Sequence, residues 1–401
     1  MRPIFFLIMT MLVSVEAYCL TAKEHFDAGM QHFAEHNYDG AIVAFTQAIA
    51  LDTTFAEAYY DRGRCLVAKS KYAEAISDYC RAISIDTIYA DAYCYRGTAK
   101  YHLKQYEEAV RDFSRAIYID TIYAERGSPA SGMKRLTGTA AGRDRPNEVD
   151  TMFAKPYANR AICKAALKDA DGALEDYNYA ISLAPHWPKL YVMRGVFLHT
   201  QKDYTAALAD LKIAIKAQCS LSFCYAESGR IKVEMKDYDG ASGFFTKAIK
   251  CDPTDAYAYC MRAWCRSQMR DYDAAIADAN RALKYHPDNA DAYKERGYAK
   301  SCLADYEGAI ADYTRSISID STVAWKYCVR GAAEDKLGKH AAAIQDYTKA
   351  IALDPKYGYA YYCRAQSRIA IGQKQEACAD LHSSMDAGYN ISREFMQKNC
   401  Q

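Results

Sequence analysis

The residues whose types and spacing best suit chemistry are His32, Glu35 and His36, in the run His32-Phe33-Ala34-Glu35-His36. Two imidazoles four residues apart with a carboxylate beside them can hold zinc on one helical face and activate its water for hydrolysis. No glycine-rich phosphate loop, no GxSxG and no HExxH accompanies them. Fifteen cysteines are a second reservoir of chemistry. Their number is odd, so at least one is unpaired or pairs between chains. No CxxC occurs, and no Cys/His spacing resembles a zinc site. A third set is aromatic: Phe223, Tyr257, Trp264, Tyr298, Trp325, Tyr359 and Tyr362 are rings suited to stacking on a partner.

What positions these residues is a repeat. Gly29, Gly63 and Gly97 stand 34 residues apart, and the same period runs through Ala161, Gly195, Gly229, Ala263, Gly297, Gly331 and Ala365. The 64-residue step from Gly97 to Ala161 is one period plus an insert of 30. Ten copies therefore begin at residues 22, 56, 90, 154, 188, 222, 256, 290, 324 and 358. Inside a copy, small and apolar residues recur at helical spacing on two faces separated by a short polar turn. This predicts a helix A over positions 2 to 14 and a helix B over 15 to 28. Position 20 is Ala in every copy and position 8 is Gly or Ala, so the two helix axes can approach closely. One such hairpin cannot bury its own apolar face, and each copy needs its neighbours.

A small residue at 8, Ala at 20, an aromatic at 24 and often Pro at 32 (Pro185, Pro253, Pro287, Pro355) resemble the tetratricopeptide repeat. The resemblance covers residues 22 to 391 apart from the insert. It implies an all-α, right-handed superhelical solenoid of ten two-helix repeats plus a C-terminal capping helix. It also implies a binding scaffold rather than an enzyme, with a concave surface lined by the A helices. Cofactors and metals are not expected. The Lys and Asn clamp with which some members hold a C-terminal carboxylate is missing, since position 9 contains no Asn.

Within this frame His32 and His36 fall at positions 11 and 15 of the first repeat, which suits a divergent terminal unit as well as a metal site. Arg at position 7 and Asp at position 23 are present together in eight copies and absent together in two, the first (Ala28, Ala44) and the sixth (Ser228, Phe244). That predicts a repeated structural contact, within a hairpin or between hairpins, instead of an anion-binding stripe. Positions 4, 8 and 11 are expected in the core, and 2, 5, 9 and 12 on the groove. Position 2 is charged in copies one to four (Lys23, Glu57, Asp91, Lys155) and again at Lys189. In the later copies it is mostly aromatic. The seven aromatic residues named above are thus the expected partner-binding set. The partner is a protein or peptide; a carbohydrate stacked on the same rings, or hydrolysis at His32–His36, are the alternatives.

With 51 basic and 50 acidic residues, the net charge of +1 offers no basic excess for nucleic acid. The chain divides into a signal peptide (1–17), repeats one to three (18–123), a flexible insert (124–153), repeats four to ten (154–391) and a capping helix (392–401). Arg2, the apolar run Ile4 to Val13 and Val15-Glu16-Ala17 form the export pattern, which places the protein in the periplasm or outside the cell. The apolar run is too short to span a membrane. Cys378 on the last helix B and Cys400 at the end of the capping helix are expected to form a disulfide, because those helices are antiparallel neighbours and export supplies an oxidising setting.

Overall fold

The structure, a computed structural model, describes residues 20–125, 146–391 and 393–400. The expected signal peptide and the middle of the expected insert lie outside the described residues. Among the described residues there are 21 α-helices and no strand, and no helix is long and apolar enough to cross a membrane. The helices pair as antiparallel hairpins. Helix A occupies positions 1 to 13 and helix B positions 17 to 30, as in Ala56–Ala68 with Tyr72–Ile85 and Ala290–Cys302 with Tyr306–Ile319. By contacts the chain forms two compact units, 1–197 and 198–401. Each is a stack of these hairpins.

One backbone device ends helix A every time. Position 15 is left-handed in all ten repeats, at His36, Ser70, Lys104, Lys168, Lys202, Lys236, Arg270, Ala304, Gly338 and Gly372. In the second repeat the Ser70 amide donates to the Val67 carbonyl and the Lys71 amide to the Leu66 carbonyl, the pair of bonds that terminates a helix in a left-handed turn. The next residue then caps helix B: side chains of Asn37, Asp169, Asp203, Asp237 and Asp305 accept from the amide three residues on.

The small residue at position 8 faces the ring at position 24 across the hairpin. A Cβ on Gly63 would lie 2.7 Å from Tyr79, and one on Gly229 would lie 2.9 Å from Phe245. Glycine serves here for proximity and not for its dihedral freedom. Where position 8 is Ala263 or Ala365, position 24 is the smaller Ala279 or Leu381, whereas Ala161 stands with the full ring of Tyr177.

The Arg–Asp pairs are latches. Arg62 holds Asp78 through Nε at 2.8 Å and Nη2 at 2.6 Å, and the same two-point contact recurs at Arg96–Asp112, Arg160–Asp176, Arg262–Asp278, Arg296–Asp312, Arg330–Asp346 and Arg364–Asp380. The remaining nitrogen reaches position 25 of the preceding repeat: Arg62 to Thr46, Arg262 to Thr246, Arg296 to Asn280. Each guanidinium also lies over the Tyr one turn earlier, as Arg296 does over Tyr293 at 5.3 Å. The latch therefore works both within a hairpin and between hairpins. Repeat six lacks it and has a different buried network, in which His199 contacts Glu227 at 2.6 Å and Glu234 at 3.0 Å while Arg230 holds the other Glu227 oxygen.

One expectation changes. Position 11 is not simply core. Lys100, Lys164, Arg266, Lys300 and Arg368 stand there and place a second cation on the latch Asp at 2.6–3.0 Å. Helices enter the expected insert 124–153 from both sides. Helix B of repeat three runs on through Glu125, and helix A of repeat four begins at Pro146.

Candidate functional site

The HxxEH run does not form a site. Helix A of repeat one ends at Ala34, Glu35 is its C-cap and His36 is the left-handed turn residue. His32 Nδ1 lies 3.3 Å from the side-chain nitrogen Nδ2 of Asn37, and His36 Nδ1 lies 3.1 Å from the Tyr38 hydroxyl. The imidazoles address turn partners instead of a shared ion, because the helix that would align them stops between them.

The groove strip is also narrower than the sequence predicts. Helix A packs on its own helix B and on neighbouring A helices, so its buried stripe is wide. Position 5 is mostly inside it, at Phe26, Tyr60, Cys94, Ala158, Cys260 and Cys328. Position 12 is buried at His199 and Ser267. The open strip follows positions 2, 9 and 13, at steps of seven and four along one side of the helix, whereas position 6 is buried at Asp61, Glu227, Glu295 and Cys363.

In unit 2 this strip builds a pocket from three successive repeats. Its cavity is about 340 Å³, lined by Trp264 and Gln268 of repeat seven, Lys294, Glu295, Tyr298 and Tyr313 of repeat eight, and Trp325 and Val329 of repeat nine. The Trp325 ring faces Lys294, whose ammonium sits 5.5 Å from the ring centroid and 2.7 Å from Glu295 Oε1. Glu295 is buried, and desolvation raises its carboxyl above the usual range despite that lysine. Trp264 is half-buried and stands edge-on to Tyr238 at 5.3 Å, so one side of it belongs to the core.

The structure thus brings together Trp264, Tyr298 and Trp325 of the seven expected residues. Phe223 and Tyr257 are exposed elsewhere on unit 2, outside this pocket. Tyr359 and Tyr362 belong to the C-terminal closure: Tyr359 is 5.6 Å from Tyr389, and Tyr362 is 5.1 Å from Tyr389 and 5.8 Å from Phe395. Lys294 and Glu295 were not anticipated. Their signal was available, since Lys294 is the sole charged residue at position 5 in ten copies.

Unit 1 has a charged counterpart, a cavity of about 320 Å³ whose lining includes Arg64, Asp91, Tyr95, Asp120 and Lys155. Lys155 lies over the Tyr95 ring at 4.4 Å, and Arg64 lies over Phe33 at 4.4 Å. Burial, and then the neighbouring Asp91, push the Asp120 carboxyl up to about 7.

At the C-terminus the short helix Arg393–Asn399 closes the stack, and Ile391 and Phe395 join a cluster with Ala365, Ala377 and Leu381. Cys378 and Cys400 form a disulfide with their Cα atoms 5.2 Å apart. Eight of the remaining described cysteines, including Cys65, Cys163 and Cys265, are buried as small hydrophobes, and burial raises those three thiols to about 12.

No curated protein matches the chain. Among solved structures it is similar to a tetratricopeptide repeat protein from Parabacteroides merdae ATCC 43184, at 17% identity over 61% of this chain and 96% of that one, with a TM-score of 0.49. It is similar to MamA at 24% identity over 40% and 93% of the two chains, with a TM-score of 0.38. A third is YrrB, described as a TPR protein with an unusual peptide-binding site, at 20% identity over 42% and 87%, with a TM-score of 0.37. Three family profiles, each described as tetratricopeptide repeat, match residues 26–86, residues 90–120 and 324–357, and residues 244–277 and 346–379. With these matches falling in phase on a ten-fold repeat of antiparallel helical hairpins, the chain belongs to the tetratricopeptide repeat family.

Proposed function

We propose that the protein is a non-catalytic scaffold that binds an extended segment of a protein partner on the A-helix strip of unit 2. The observation that carries this reading is the pocket in which Trp264, Tyr298 and Trp325 converge from three successive repeats. Large rings offer much contact area with few rotatable bonds, and binding energy concentrates at such anchors. The Lys294–Glu295 pair supplies one donor and one acceptor beside them, enough to orient a peptide backbone or a polar side chain. The N-terminal pattern supports export, so the partner is a protein of the periplasm or of the exterior.

The test is selection of peptides from a displayed random library against the full chain, followed by affinity measurement with wild type and Trp325→Ala. The reading requires peptides with a shared apolar or aromatic anchor whose binding is lost in the variant. Failure to select, combined with specific capture on a glycan array that Trp325→Ala abolishes, replaces it with carbohydrate binding. Amino-terminal sequencing of the native protein tests export: it requires Tyr18 as first residue, and an intact Met1 refutes it.

A further inference from the structure

We propose that Cys378, His382 and Cys400 form a redox-gated site for a zinc-like divalent metal ion, closed while the disulfide is intact and opened when it is reduced. This site is separate from the peptide pocket and does not rest on the function proposed above. Among the described residues this is the one group of three His, Cys, Asp or Glu side chains whose ligand atoms all lie within 4.8 Å of one another. Cys378 and His382 are one turn apart on the helix Lys374–Asp386, and Cys378 Sγ lies 3.6 Å from His382 Nδ1. A tetrahedral zinc ion with bonds of about 2.3 Å to sulfur and about 2.0–2.1 Å to nitrogen needs its sulfur and nitrogen about 3.5 Å apart. The two ligand atoms therefore already stand at the separation the ion needs, and a turn of the imidazole off the Cys378 carbonyl aims Nδ1 at it. Cys400 Sγ lies within 4.8 Å of both ligand atoms, and once released from Cys378 it can supply the third.

The chemistry balances with a dithiol reductant. The dithiol gives two electrons and two protons to the Cys378–Cys400 bond and leaves as its own disulfide, so both cysteines become thiols. Metal binding then displaces one proton from each thiol and forms two metal–sulfur bonds. In the oxidised structure His382 Nδ1 lies 2.8 Å from the Cys378 carbonyl oxygen, to which its N–H donates. On ligation that proton resides on Nε2, and Nδ1 binds the ion. Three protein ligands leave the fourth position to water or to an outside group, the pattern of an open zinc site.

The arrangement has a structural purpose. The terminal helix Arg393–Asn399 has seven residues, too short to persist without tertiary support. The disulfide ties its end to the last helix B. A metal bridging the same sulfurs would tie it equally well where the disulfide cannot last, so the closure of the stack survives in either redox state.

The experiment uses the full chain, reduced with a dithiol and freed of it under argon, then titrated with Co²⁺ as the spectroscopic probe and with Zn²⁺ against a chromogenic chelator. The expected result is one equivalent bound, with thiolate-to-cobalt charge-transfer bands and the visible bands of tetrahedral cobalt. The oxidised chain should show neither. His382→Ala should weaken the site by at least about tenfold, and Cys400→Ser should remove its charge-transfer signature. Zn²⁺ should also restore hydrogen-exchange protection to residues 393–400 in the reduced chain, but not in His382→Ala. Other thiols, such as the exposed Cys80, Cys251 and Cys302, are the same in every variant. Equal binding by the oxidised chain or by either variant would place the metal on those thiols and overturn the proposal, as would the lack of a stoichiometric site.

Discussion

Glu334 and Asp346 are two carboxyl groups set against each other where five other repeats set a cation against the latch aspartate. Glu334 occupies position 11 of repeat nine, the place of Lys300 and Arg368, and faces the aspartate that Arg330 holds. Its buried Oε2 has no hydrogen bond. Burial first, and Asp346 second, push its carboxyl up to about 7 from an ordinary 4.5.

The pH dependence follows from the direction of that shift. The unfolded chain ionises this group at lower pH than the folded one. The stability held by its neutral form is therefore full below the unfolded value and is lost as pH rises through about 7. Thermal melts of Glu334→Gln should lack this loss. Glu334→Lys should restore the second cation and raise stability at about pH 8 by about 1 kcal/mol. A lysine variant that melts below wild type would show that the position tolerates no cation.

Arg296→Ala should destabilise the fold by about 1–3 kcal/mol, because it leaves the buried Asp312 with Lys300 alone and cuts the link to Asn280. Arg296→Lys should recover little, since an ammonium cannot make the two-point contact. Peptide affinity of the folded fraction should not change. An affinity loss without a melting shift would make this row a binding surface.

Gly63→Ala should cost about 1–3 kcal/mol, since its Cβ would lie 2.7 Å from the fully buried Tyr79 ring. Ala304→Gly should act oppositely. Ala304 has φ 63°, and relief of that strain outweighs the added freedom of the unfolded chain by about 0.5–1 kcal/mol. Urea titrations of the two variants give both signs in one experiment.

The two tryptophans should separate. Trp264 packs on Tyr238, so Trp264→Ala should lower the melting temperature as well as weaken binding. Trp325 contributes to the pocket wall beside Lys294, so Trp325→Ala should cost about 2 kcal/mol or more of peptide binding with a smaller melting shift. Early melting of both variants with normal binding by the folded fraction would return the rings to the core and move the binding site elsewhere.

The periodicity of the sequence by itself determined the hairpin, its ten-fold repetition and its register, because each rests on contacts between residues at fixed separations. Gly63 and Tyr79 are 16 apart, and so are Arg296 and Asp312. Such pairs recur in every copy that carries them, so co-occurrence alone exposes the latch. Tertiary structure decided what depends on neighbours outside the period. Asp-Thr-Ile-Tyr is a turn at 86–89 and helix at 120–123: identical residues, but only the first stretch is followed at once by an A helix that must fold back. The same reason moved the groove strip. Spacing shows that positions 2, 5, 9 and 12 share a side, but the width of the buried stripe depends on how many helices pack around helix A. That placed Cys260 inside, while Lys294 at the same position lines the pocket beside Trp325. It also left the rings Tyr359 and Tyr362 against Tyr389, since the segment after the tenth hairpin folds back onto its A helix.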